Sequence, residues 1–206
     1  MKKSRPLISL TTSVLLLFGS VAFAADTPPR KSADTATAIF AGGCFWCIEA
    51  DFEKLPGVIG AESGYTAGKV ANPTYRQVSA GGTGHTEAIR VSYDPAKVSY
   101  QQLVDYFWRH IDPTVRDRQF CDVGTQYRSG IYWRDEAERK IAEASRDALL
   151  KNGKLAQVHT DIAAASAFYP AEEYHQDYYT KNPIRYAFYR KSCGRDARVH
   201  EIWGDK

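Results

Sequence analysis

The sequence predicts an α+β fold: a two-layer sandwich of a mixed β-sheet with helices packed on it, followed by a long coil-rich C-terminal tail. Three observations point there. Helix and strand patterns mix without a regular strand–helix–strand rhythm, which argues against a doubly wound parallel sheet. No internal repeat divides the chain. Once a leader of 24 residues is set aside, the remaining 182 suit one domain with a full core that needs no disulfide staples.

The leader comes first. Lys2, Lys3 and Arg5 make a basic start, residues 7–21 are mostly apolar, and Ala22-Phe23-Ala24 supplies the small-x-small pattern that a signal peptidase cuts behind. Ser9, Thr11, Thr12 and Ser13 interrupt the apolar run, which is short for a membrane span. Residues 1–24 are therefore expected to be a cleaved signal peptide, and the mature chain to be periplasmic or secreted and free of the membrane. Cleavage removes three of the 27 Lys+Arg residues, leaving 24 against 24 Asp+Glu. A formally neutral chain gives no electrostatic reason to expect nucleic acid as a partner.

Residues 25–38 are rich in Pro, Ala, Thr and charge and read as a flexible lead-in; residues 39–206 are expected to form a single catalytic domain. Residues 36–41 form a short strand-like run ending at Gly42-Gly43. Apolar spacing over residues 44–54 suits a helix stopped by Pro56-Gly57. Residues 58–65 resemble a strand, and residues 66–84, with five glycine or proline positions, a loop. Residues 87–93 alternate apolar and polar, as a half-buried strand does, and close at Asp94-Pro95. Residues 99–111 open on a capping serine and place Leu103, Phe107 and Ile111 on one helical face. Residues 112–128 are a long polar loop, a kind that tends to carry function. Residues 130–133 read as a strand, residues 135–152 as the clearest helix, and residues 158–163 as a further strand. Beyond Tyr169-Pro170 the tail is aromatic and basic, with short helical turns at best.

The chemistry concentrates in Gly42-Gly43-Cys44-Phe45-Trp46-Cys47-Ile48-Glu49. Two cysteines three apart allow one thiol to attack and the other to release it as a disulfide. If Gly43 ends a strand and Cys44 begins a helix, unpaired N–H groups at the helix start favour a Cys44 thiolate. Cys47, one turn on, is then its natural resolving partner. A second feature is an absence. Met1 is the sole methionine where average composition would supply a few, which chance explains as well as a life among methionine oxidants does.

GGCFWCIEADFEKLPGV resembles the signature of the methionine sulfoxide reductase A family, and four further segments follow in the family's order: NPTYRQV, GHTEAIRVSYDP, DVGTQYRSGIY and YPAEEYHQDYYTKNP. The resemblance implies a thiol-dependent reduction of methionine S-sulfoxide, free or in proteins, and no metal or organic cofactor. It implies that Cys44 attacks the sulfoxide sulfur and that Phe45 and Trp46 form the pocket for the methyl group. Glu87 matches the acid that protonates the sulfoxide oxygen, Tyr75 and Tyr127 the phenols that hydrogen-bond it, and Asp122 the pocket's second acid. The attack leaves a sulfenic acid, which a second thiol converts to a disulfide that an external thioredoxin-like donor reduces. A monomer that repairs oxidised exported proteins is the expected whole. His85 and His175 lie in matching segments, but a structural hydrogen bond is expected of each.

The chain departs from the family at the resolving step. Many members place a cysteine directly after an Asn-Pro-x-Gly-Tyr stretch; here Asn182-Pro183-Ile184-Arg185-Tyr186 is followed by Ala187. Cys47 and Cys193 both remain candidates, with Cys47 favoured for the first disulfide and Cys193 able to relay it outward. Cys121 reads as a buried small hydrophobe close to the site. Two other readings fit the cysteines alone. One is a thioredoxin- or disulfide-isomerase-like oxidoreductase; the other is a binding module with Cys44–Cys47 and Cys121–Cys193 bridges. A zinc site lacks the paired spacing it would need.

Overall fold

The structure is a computed structural model and describes residues 35–204, so the expected signal peptide and most of the expected lead-in lie outside the described residues. The first strand, β1 (Ala36–Gly42), begins ahead of the Ile39 boundary. It feeds α1 (Phe45–Phe52), and the chain continues through β2 (Val58–Thr66), the short α2 (Tyr75–Ser79), β3 (Thr86–Tyr93) and α3 (Tyr100–Trp108). A small hairpin, β4 (Arg118–Gln119) with β5 (Asp122–Val123), precedes β6 (Ser129–Trp133), α4 (Glu136–Lys151), β7 (Asp161–Ala164) and β8 (Tyr169–Pro170). The C-terminal stretch holds α5 (Tyr178–Lys181), α6 (Pro183–Ser192) and α7 (Arg195–Trp203).

Six strands form one sheet in the order β7-β6-β1-β3-β2-β8. All neighbours run antiparallel except β6 and β7, which are parallel. The α+β expectation with a mixed sheet holds.

Period-two alternation assigns each strand residue to a face. Ala38 and Phe40 of β1, Ile89 and Val91 of β3 and Ile131 of β6 join the main core, with Ile48 and Phe52 from α1 and Leu103 and Phe107 from α3. Ile39, Ala41, Ala88 and Tyr132 form a smaller cluster on the opposite face, against Ala165 and Phe168. Phe40 lies 5.1 Å from the Phe52 ring and 5.2 Å from Phe107, and full burial of each such ring stabilises by about 1.5–3 kcal/mol. This alternation places Glu87 on the helix-covered face, in line with Ile89 and Val91. A carboxyl is thereby committed to the core beneath α1.

Two expectations need correction. The loop over residues 66–84 contains α2, whose Thr74 cap accepts from Gln77 N–H while the Gln77 side chain accepts from Thr74 N–H. That reciprocal capping box starts a helix even where glycines surround it. The C-terminal tail is largely helical rather than coil-rich. α6 has ten residues and starts with Pro183 in its first turn, and α7 has nine and follows Gly194 at φ 71°. Proline is preorganised for a helix start, and glycine supplies the left-handed residue that separates the two helices.

Candidate active site

The site is built at the turn from β1 into α1. Gly43 holds φ 82°, and a Cβ there would lie 2.5 Å from Gln119 Cβ, so the turn demands glycine on both counts. Cys44 caps α1, and the Phe45 N–H at the helix start donates to Glu87 Oε2 at 3.0 Å. Arg195 braces the same turn from α7. It is 2% exposed and donates to the carbonyls of Gly42 (3.1 Å) and His110 (2.8 Å).

Cys44, Phe45, Trp46, Tyr75, Glu87, Asp122 and Tyr127, all singled out from the sequence, line one cavity of about 80 Å³, together with Tyr189. Each arrives from a different place. Tyr75 opens α2, its N–H held by Glu172 Oε1 at 2.8 Å. Tyr127 ends a 3-10 turn, Thr125–Tyr127, after Gly124 at φ 135°. Asp122 begins β5, and Tyr189 of α6 donates its phenol proton to Asp122 Oδ2 at 2.5 Å. Trp46 is fixed on three sides: its indole N–H donates to His175 Nδ1 at 3.0 Å, Tyr178 stacks on it at 3.7 Å, and Tyr189 meets it edge-on at 5.9 Å. Both histidines make the hydrogen bond expected of them, His175 to the Trp46 indole and His85 through Nε2 to the Val70 carbonyl at 2.7 Å.

Burial governs the protonation states. It pushes Glu87 up to about 8, the Phe45 N–H opposing and the Asp122 and Cys47 charges adding to it. A neutral carboxyl is thus available at pH 7. Burial also lifts Asp122 above its usual range against the Tyr189 hydrogen bond, and takes Tyr75 to about 12. The expected resting thiolate at Cys44 is a correction. Burial raises this thiol well above its ordinary value, reinforced by its hydrogen bond to Cys47 and by the Cys47 and Glu87 charges, while Tyr189 pulls the other way. The Phe45 N–H at the helix start is spent on Glu87, and the Tyr189 hydrogen bond alone does not offset the lost hydration of the sulfur. Cys47 moves down instead, chiefly through the hydrogen bond from Cys44, with Arg195 and Arg190 assisting.

Cys121 and Cys193 are joined in a disulfide, while Cys44 and Cys47 are free and buried. Cys121 is exposed rather than a buried hydrophobe. Its bridge to Cys193 sits between Asp122 and the last turn of α6, so it ties together the two chain segments that supply Asp122 and Tyr189. The sequence reading missed Tyr189, Arg195 and Glu172 as site-building residues. Only the Tyr-x-x-x-Cys spacing of Tyr189 before Cys193 hinted at one of them. Glu49 was also passed over. It is fully buried, accepts from Ser63 Oγ at 2.5 Å and Asp177 N–H at 2.7 Å, and is pushed up to about 7 by burial, so it fastens α1 to β2 and the C-terminal segment.

A thiol with a second thiol beside it, a neutral carboxyl and three phenols around so small a cavity define a thiol-based oxidoreductase for a small polar group. Comparison with known proteins narrows the class. The family model for peptide methionine sulfoxide reductase matches residues 36–206. The peptide methionine sulfoxide reductase MsrA 2 of Caulobacter vibrioides is 48% identical over 97% of this chain and 99% of its own. That of Ligilactobacillus salivarius, MsrA, is 51% identical over 81% of this chain and 97% of its own. Among solved structures, methionine sulfoxide reductase A of Corynebacterium diphtheriae superposes with TM-score 0.66 at 38% identity, covering 73% of this chain and 76% of its own. Reduced Mxr1 of Saccharomyces cerevisiae gives TM-score 0.68 at 34% identity, covering 77% and 91%. The chain belongs to the peptide methionine sulfoxide reductase family and is an oxidoreductase of its A type.

Proposed function

We propose that the chain reduces the S epimer of methionine sulfoxide at Cys44 and repairs exported proteins. The observation that carries the reading is Glu87, a carboxyl that keeps its proton to about pH 8 in the cavity that holds the Cys44 sulfur. Sulfoxide oxygen leaves only when protonated, and Glu87 supplies that proton. Tyr75 and Tyr127 donate hydrogen bonds to the oxygen as the S–O bond polarises. Phe45 and Trp46 give the methyl group an apolar wall.

The step balances as an oxygen transfer. The proton on Cys44 passes to Cys47, whose thiolate is favoured by Arg195 and Arg190, and the Tyr189 hydroxyl turns its one proton from Asp122 to the sulfur that remains. Cys44 Sγ bonds to the sulfoxide sulfur as Glu87 protonates the oxygen; the S–O bond breaks, the oxygen bonds to Cys44 Sγ as hydroxyl, and the bond between Cys44 and the substrate sulfur breaks with its electron pair staying on methionine. Methionine is reduced by two electrons and Cys44 oxidised by two. Cys47 then attacks the sulfenic acid, forming the Cys44–Cys47 disulfide and releasing water. Cys47 is preferred over Cys193 because Cys193 is already bonded to Cys121. A dithiol protein of thioredoxin type on the outer side of the membrane restores the thiols. No helix among the described residues is long and apolar enough to cross a membrane, and the basic, apolar, Ala-x-Ala leader supports a periplasmic or secreted location.

The test is turnover of the separated S and R epimers of N-acetyl-methionine sulfoxide with dithiothreitol as reductant. The reading requires methionine from the S epimer, and none with Cys44→Ser. Equal turnover of both epimers, or activity surviving in Cys44→Ser, contradicts it.

A further inference from the structure

The 80 Å³ cavity admits little more than a methylsulfinyl group, so the rest of any substrate must lie outside it. What lies outside is a groove of about 460 Å³ lined by Trp46, Tyr178, Ile184, Arg185, Phe188 and Tyr189. Trp46 and Tyr189 line both the cavity and the groove. Ile184 and Phe188 lie four apart on α6, hence on one face of it. They are 86% and 74% exposed, more than any other large hydrophobic side chain among the described residues, and neither joins a core cluster. Two large apolar side chains left in water beside an active cavity are costly unless something covers them in use.

We propose that this groove binds an apolar side chain next to the methionine sulfoxide in a polypeptide substrate. The proposal rests on the reductase reading above and adds to it a substrate class: unfolded or locally opened protein segments with apolar residues flanking the oxidised methionine. Continuity through Trp46 and Tyr189 selects this occupant, since a side chain held in the cavity against those two residues has its chain neighbours within reach of the groove they also line. Methionine sits mostly among apolar neighbours in protein cores, so oxidation that opens a core presents such segments. Tyr178, stacked on Trp46, keeps the wall in place when the groove is empty.

The experiment compares two blocked pentapeptides carrying central methionine S-sulfoxide, one flanked by leucines and one by serines, with N-acetyl-methionine S-sulfoxide as the small substrate. Wild type is set beside the double variant Ile184→Ser with Phe188→Ser, whose sites are exposed and should not disturb folding. Wild type should show a kcat/KM about tenfold higher for the leucine peptide. The variant should treat both peptides alike and turn over the small substrate at the wild-type rate. No preference in wild type, or a preference that survives in the variant, overturns the groove while leaving the reductase intact. Dimerisation of wild type but not of the variant in sedimentation, with the peptide preference unchanged, also overturns it and assigns the patch to a second copy. Absence of methionine from all three substrates would remove the reductase reading and this proposal with it.

Discussion

Glu87 carries the most chemistry for a single residue, and its environment makes a signed prediction. Its folded pKa of about 8 stands above the usual 4.5. As proton donor it must be neutral, so kcat/KM should fall as pH rises through about 8. Glu87→Gln should lose about 10²–10³ in kcat/KM and lose that alkaline limb as well. Because the folded state disfavours its carboxylate, the stability linked to Glu87 is full below pH 4.5 and is lost as pH rises toward 8. Urea unfolding should therefore find Glu87→Gln more stable relative to wild type at pH 9 than at pH 4. Tyr189 is the second residue with a clear test. Its phenol holds Asp122 and reaches Cys44, so Tyr189→Phe should lower kcat about tenfold with KM little changed. A change in KM alone would make it a wall residue. Glu87 was legible only through the family resemblance, because a glutamate in a strand by itself reads as a solvent-facing residue. Tyr189 was not, because it is one of 13 tyrosines in the chain and its spacing before Cys193 is too common to single it out.

At the scale of elements, the strands and long helices were readable because each carries its own signal. β3 alternates, α3 opens on Ser99 with Gln102 completing the box, and Asp135 Oδ1 accepts from Glu138 N–H to start α4. α2 was readable in principle from Thr74-x-x-Gln77, but the glycines on either side outweighed a helix this short. α6 and α7 were not legible from periodicity. α6 buries no residue fully, and the buried face of α7, Arg195, Val199 and Trp203, is led by an arginine whose partners Gly42 and His110 are distant in sequence. Non-local carbonyls leave no mark on the local pattern. The Cys121–Cys193 bridge belongs to this scale, closing a span of 72 residues between the β4–β5 hairpin and the α6–α7 junction. Cys193→Ser should cost about 2–4 kcal/mol in unfolding experiments, while sulfoxide reduction in a first turnover proceeds. Loss of methionine formation in that variant would instead place Cys193 in the chemistry.

For the whole molecule, the sheet separates two tasks. One face carries the helices and the buried acid; the other is closed by coil around Phe168 and Ala165. Cys44, the proposed nucleophile, stands where β1 leaves the sheet, and the C-terminal helices pack against that turn through Arg195 and Tyr189. The proposed export concerns the entire chain and has its own check. N-terminal sequencing of the protein from the cell exterior or periplasm should begin at Ala25, the residue after the predicted cut. A start at Met1 would contradict export by cleavage. Such a mature chain would hold no methionine of its own to repair. The central claim is that Cys44 takes the oxygen and Cys47 resolves it, and single turnover without reductant tests it most directly. Reduced wild type mixed with excess methionine S-sulfoxide should release about one methionine per chain while two thiols, Cys44 and Cys47, disappear. Cys47→Ser should still release methionine but stop at a sulfenic acid. Thiol loss as a disulfide in Cys47→Ser, abolished by adding Cys193→Ser, would contradict the account and make Cys193 the resolving residue.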